Sequence, residues 1–253
     1  MLETYLKNRL KERRILLMTH IVMGYPSFDD SHKLIETMVA AGVDLMELQI
    51  PFSEPVADGP VILHANQKAL SAGATVQKCL ELAKTAAASF NIPFLFMSYY
   101  NILFKYGVER FAGEMAGRGL HGAIVPDLPP EEGSDYLNAM RTHRLSPIFI
   151  FSPTTSDARM KMLASHARGF VYCVARKGVT GLDTRFSGQL ETYLERCRQA
   201  TSLPLALGFG VKDRTDIDFL KGKADIAVIG TQTIRLMEQR GVAAVGDFIA
   251  GLR

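Results

Sequence analysis

Eight short apolar runs recur along this chain, and between them lie longer stretches with helical patterning. That alternation restricts the fold more than any other feature. The runs cover residues 15–23, 45–50, 93–99, 122–127, 146–153, 169–175, 204–210 and 224–230. Each has the length of a buried strand, and most are rich in Ile, Val, Leu and Phe. Residues 32–41, 76–88, 108–115, 135–143, 158–166 and 190–198 carry apolar side chains at helical spacing, as in Leu34, Ile35, Met38 and Val39. Asp157 after Ser156 and Asp213 after Lys212 stand where helices start, and Gly42, Gly119 and Gly222 where helices end. Eight strand–helix units in 253 residues predict an α/β fold, a single (β/α)8 TIM barrel spanning 1–253. A doubly wound open sheet is the rival, but evenly spaced parallel units close more readily than they fan out. Residues 1–14 form an extra helix, expected to cover the N-terminal face of the barrel.

Composition removes other classes. Lys+Arg number 29 against 26 Asp+Glu, a net charge of +3 that makes no footprint for nucleic acid. Cys79, Cys173 and Cys197 are odd in number and far apart, unlike a disulfide scaffold. The charge-free span between Lys84 and Lys105 contains Asn91, Pro93, Ser98 and Asn101, and reads as a helix end, a turn and a strand. No apolar leader opens the chain, so the expectation is a cytoplasmic protein without a membrane segment. The six histidines, His20 among them, have no acidic or cysteine partner at ligand spacing, and no metal is expected. Neither a dinucleotide fingerprint nor a serine or cysteine nucleophile setting is present.

Catalytic groups of such barrels lie at the C-terminal ends of strands. The seventh run ends Gly208-Phe209-Gly210 and the eighth Gly230-Thr231, where bare backbone N–H groups and a helix start suit a phosphate. Either pair of glycines could also simply turn the chain. A long loop over 176–189, with Gly178-Val179-Thr180-Gly181, is expected to be a mobile lid. In the second run, alternation puts Leu45, Glu47 and Gln49 on one face and Met46, Leu48 and Ile50 on the other. The apolar set should meet helices, turning Glu47 into the barrel, where burial favours the protonated form that a general acid needs. Asp58, eleven residues on, hangs over the same mouth and can take a different proton role. Glu47 could instead pair with a basic partner, and Asp58 could equally serve the turn before Gly59. Asp127, at the end of the fourth run, could orient ligand or lid, or form a turn. Tyr99, with Tyr100 and Asn101, could face an aromatic substrate or pack the rim.

The segment from Glu47 through Pro51-Phe52-Ser53-Glu54-Pro55-Val56-Ala57-Asp58-Gly59-Pro60 closely resembles the signature of the tryptophan synthase α subunit family. The resemblance extends through Gly24-Tyr25-Pro26, Pro126-Asp127-Leu128-Pro129, Arg176 to Gly181, Gly208-Phe209-Gly210 and Gly230-Thr231, in order along essentially the whole chain. It implies retro-aldol cleavage of indole-3-glycerol phosphate to indole and glyceraldehyde 3-phosphate in tryptophan biosynthesis. Glu47 would be the general acid/base and Asp58 would stabilise positive charge at the indole nitrogen. Tyr172 matches a site residue, although on spacing alone it could equally fill the barrel; Thr180 would support the loop Asp, and Gly181, Gly210, Gly230 and Thr231 would hold phosphate. The resemblance also implies no cofactor in this subunit, and a pyridoxal-phosphate-dependent β subunit as partner in an αββα heterotetramer.

Departures from the family's usual residues gather around one pocket. Gln49 stands where glycine is usual, and could crowd the indole or hydrogen-bond Glu47. His20 and Val22 replace an aromatic residue and a threonine, Leu63 a glutamine, Glu54 an aspartate and Thr231 a serine. The alternative is therefore a catalytically weakened α subunit that acts mainly as an allosteric activator of the β subunit.

Overall fold

In the computed structural model, which describes residues 1–175, 188–208 and 210–253, eight parallel strands close on themselves in the order of the sequence, β8 pairing back onto β1. The first half runs α1 (Leu2–Glu12), β1 (Leu16–Val22), α2 (Phe28–Ala40), β2 (Leu45–Gln49), α3 (Pro60–Ser71), α4 (Val76–Ser89), β3 (Phe94–Met97), α5 (Tyr100–Tyr106), α6 (Val108–Gly117) and β4 (Gly122–Ile124). The second half runs α7 (Ser134–Thr142), β5 (Ser146–Phe151), α8 (Asp157–His166), β6 (Val171–Val174), α9 (Gly188–Ala200), β7 (Leu205–Gly208), α10 (Arg214–Leu220), β8 (Ile226–Ile229), α11 (Thr231–Arg240) and α12 (Val242–Gly251). The expected lid falls mostly outside the described residues, and its last two positions, Gly188 and Gln189, already belong to α9.

The strands divide their side chains as alternation requires. Leu17, Ile21, Met46, Leu48, Ile50, Phe94 and Phe96 point outward into a core shared with the helices. Leu16, Met18, Leu45, Leu95, Met97, Ile124, Ile148, Ala206 and Ile226 fill the barrel itself. Leu2 and Leu6 of α1 join this inner cluster beside Phe170, so α1 plugs the N-terminal end as expected. Burying each of these leucines stabilises the fold by about 1.5–3 kcal/mol. With that end filled by hydrocarbon, the polar inward residues lie toward the other end, where the strands give way to loops. No helix among the described residues is long and apolar enough to cross a membrane.

Candidate active site

The register of β1 against β2 sets the first contact, because His20 lies directly opposite Glu47 in the ladder and both face inward. His20 Nδ1 is 2.5 Å from Glu47 Oε1, and the residues are 3% and 4% exposed. Burial alone would disfavour a charged imidazole. The hydrogen bond and negative charge of Glu47, followed by the charge of Asp58 and the Gln49 side chain, outweigh it and hold His20 above its ordinary value. Glu47 Oε2 is buried and accepts no hydrogen bond from the described residues. Spacing along the chain offers His20 no acidic neighbour of this kind. The partner stands 27 residues away and is delivered by the ladder.

Asp58 is built from three sides. Gln49 Nε2 donates to Asp58 Oδ2 at 2.6 Å, and the Tyr99 hydroxyl donates to the same oxygen at 3.1 Å. The Tyr99 oxygen accepts in turn from the Ala57 amide at 3.1 Å, so the loop is tied to the end of β3 through one phenol. The Phe52 ring stacks on Tyr99 with centroids 5.1 Å apart. Fully buried Asn66 of α3 accepts from the Phe52 amide at 2.9 Å and lies 3.4 Å from Gln49 Nε2. Desolvation pushes the Asp58 carboxyl above the ordinary aspartate range, and His20, Gln49 and Tyr99 pull the other way. Gln49 therefore serves Asp58, and the expectation that it might hydrogen-bond Glu47 is corrected: the amide nitrogen bonds the loop aspartate.

Tyr172 of β6 packs against the inner cluster. Burial first, then the negative charges of Glu47 and Asp58, drive its hydroxyl well above its ordinary value, so it remains a neutral donor. Gly208 makes room for it, since a Cβ there would come within 2.9 Å of the Tyr172 oxygen. Glu47, Asp58, Tyr99 and Tyr172 are thus brought to one end of the lumen, together with His20 and Gln49.

Burial raises the Tyr99 phenol above its ordinary value, and Asp127 lies near enough for its charge to help. Both its oxygens accept from the Tyr100 amide, at 2.9 and 3.1 Å, so it caps the first turn of α5 from the end of β4. Gly210 has φ +91°, which favours glycine, and Gly230 is the N-cap of α11 with Thr231 as its first residue. Among the described residues no side chain caps that helix; the Thr233 amide donates to the Gly230 carbonyl at 3.1 Å, and an anion at this end would meet the amides that precede it. Thr180 and Gly181 lie outside the described residues. No group of three or more His, Cys, Asp or Glu among the described residues is arranged for a metal ion.

Inference from the sequence missed His20 as the partner of Glu47, and missed Asn66 altogether. The signal for His20 was its inward parity on the first run, two residues before Val22. Asn66 gave none, being one polar residue on a helix that periodicity did not single out.

Comparison with known proteins bears on the whole chain. Residues 6–246 match the family model described as tryptophan synthase alpha chain. Curated proteins of that name from Syntrophotalea carbinolica and Desulforapulum autotrophicum are 64% and 67% identical, each covering all of both chains. The solved structure of Mycobacterium tuberculosis tryptophan synthase superposes with a TM-score of 0.93 at 28% identity, over 99% of this chain and 96% of that one. The alpha subunit from Legionella pneumophila gives 0.89 at 29%, with the same coverage. An eight-stranded barrel with a buried glutamate on β2 and an aspartate held over its mouth is thus joined to a match over nearly its full length, and the chain belongs to the tryptophan synthase alpha chain family.

Proposed function

We infer that this chain is a carbon–carbon lyase that carries out the α reaction of tryptophan synthesis, cleaving indole-3-glycerol phosphate to indole and glyceraldehyde 3-phosphate. The observation that carries the reading is the pair of carboxylates at one mouth in unlike settings: Glu47 buried against an imidazole, and Asp58 held by an amide and a phenol. Such a difference lets two carboxyl groups take different proton roles at one pH. Glu47 donates a proton to the ring carbon that bears the side chain, and a C–H bond forms there while the ring nitrogen becomes positive. Ionised Asp58 balances that charge. The carbon–carbon bond then breaks, its electron pair returns to the ring, and the side-chain hydroxyl becomes the aldehyde as its proton passes back to Glu47. Protons and electrons balance, and the reaction asks for neither a redox partner nor a carbanion sink, so no cofactor is assigned to this subunit.

Tyr99 and Tyr172 would border the indole. Gly210, Gly230 and Thr231, with Gly181, would take the phosphate on backbone N–H groups at the positive end of α11. Asp127 would act by fixing the start of α5, and Thr180, by the family resemblance, would support Asp58. The partner is a pyridoxal-phosphate-dependent β subunit in an αββα assembly. Val56, in the loop after β2, and Phe104 of α5 are 72% and 70% exposed at this same end, which suits a docking face.

The decisive measurement is release of indole from indole-3-glycerol phosphate by this protein mixed with a β subunit. Release far above that of Glu47→Gln is expected. Release no greater than that control would overturn the lyase reading.

A further inference from the structure

His20 is a buried ionisable side chain in the barrel, and nothing in the reaction above yet uses it. Enclosing an imidazole and a carboxylate together is costly, and hydrocarbon of similar volume often supports a fold as well. The pair therefore calls for a role other than stability. We propose that His20 is a positioning residue for Glu47: it holds Oε1, leaves Oε2 for the substrate, and the two side chains bind and release the working proton as one unit. The geometry is the 2.5 Å contact between Nδ1 and Oε1, the ladder register that fixes it, and the buried Oε2 with no partner among the described residues.

The groups facing His20 are Glu47 from β2 and Asp58 from the loop that follows, with the Gln49 side chain between them. From β8 the neighbour is Gly230, where a Cβ would lie 3.4 Å from that of His20, and it brings no titrating group. With one proton between them, the pair exists either as imidazolium with carboxylate or as imidazole with carboxylic acid. Both arrangements belong to one protonation level, so its midpoint belongs to the pair. Adding the imidazolium form can only strengthen the hold on that proton. Any step that draws on this level therefore has its alkaline midpoint set by the pair, at a higher pH than one partner alone would give.

The catalytic half of this proposal rests on the lyase reading, whereas the pairing does not, and two measurements separate them. In a 15N NMR titration of the ring, His20 is expected to stay protonated above the ordinary histidine midpoint of about 6.5. Glu47→Gln should lower that midpoint by about one pH unit or more. In kinetics, His20→Phe should move the alkaline limb of kcat for indole release to lower pH by a similar amount. His20→Gln, which keeps a donor for Oε1 but cannot titrate, should show the same shift with a smaller loss of kcat. A His20 ring indifferent to Glu47→Gln would overturn the pairing, whatever the activity. Unmoved limbs in both His20 variants would leave a packing role only and overturn the proton role. If the wild-type protein releases no indole, the lyase reading and the proton role fall together, and the ring titration still decides the pairing.

Discussion

Gln49 shows how far a single position can be read from sequence. Its parity placed it inward beside Glu47, and that much follows from the period of a strand. Which carboxylate it serves does not follow, because the Asp58 loop returns over the barrel along a path that alternation along β2 says nothing about. With the amide nitrogen 2.6 Å from Asp58, substitution has a definite sign. Desolvation raises the Asp58 pKa, and the Gln49 hydrogen bond opposes that rise by favouring the ionised form. In Gln49→Leu the opposition is lost, so Asp58 needs a higher pH to ionise. If ionised Asp58 is required, the acid limb of kcat/KM for indole release should move to higher pH. At pH 8 the loss should be modest, about fivefold, the size of a partly exposed hydrogen bond worth roughly 1 kcal/mol. A pH profile of kcat/KM for the two proteins checks this, and an unmoved acid limb would mean that Asp58 does not depend on Gln49. The amide at this position thus acts as a support for the aspartate.

At the scale of elements, the strands were legible and several helices were not. Helix α3 begins with Pro60-Val61-Ile62-Leu63, an apolar opening that blurs the helical stripe, and α5 is only seven residues long. Helices α11 and α12 meet at Gly241, whose φ of +81° ends one and starts the other. Helix α1 was legible, but its anchor was not. Asp44, fully buried just before β2, accepts from the Leu17 amide at 2.8 Å and from Arg9 at 3.0 Å, and also pairs with Arg253 and, at 3.6 Å, with Arg13. One carboxylate thus ties α1, β1 and the last residue of the chain together at the N-terminal end of the barrel. Asp44→Ala leaves three guanidinium groups and one buried amide without it, so destabilisation of about 3 kcal/mol is expected. Urea denaturation should report the loss, and Asp44→Asn, which keeps an acceptor for Leu17, should lose less. Neither change touches the reacting groups, so kcat of the folded fraction should hold.

Across the whole molecule the two ends of the barrel have different tasks. The N-terminal end is closed by Leu2, Leu6 and the Asp44 ion cluster, and the C-terminal end carries the carboxylates, the bare helix start and the loops. The small net charge suits that division, since a phosphate can be held by backbone N–H groups without a basic patch. Partner choice belongs to this scale and was beyond reach of pattern alone, because a docking face is assembled from loops that follow different strands. The β2 and β3 strands are neighbours in the ladder, so the loop carrying Val56 and the helix carrying Phe104 leave the barrel side by side. Both side chains face solvent, and Phe104 leans on Tyr100 with ring centroids 6.1 Å apart, next to a cleft of about 430 Å³ formed with Val108, Glu109, Asp135 and Asn138. Exposed apolar groups at this end suit the β-subunit docking face proposed above. Val56→Asp and Phe104→Glu should therefore weaken association with a β subunit by about tenfold or more, the cost of placing a charge in an apolar contact. The isolated chain should melt within a degree or two of the parent, because exposed positions rarely shift stability by more than about 0.5 kcal/mol. Sedimentation of the mixture measures the first and a thermal scan the second. Unchanged association in both variants would move the docking face away from this end of the barrel.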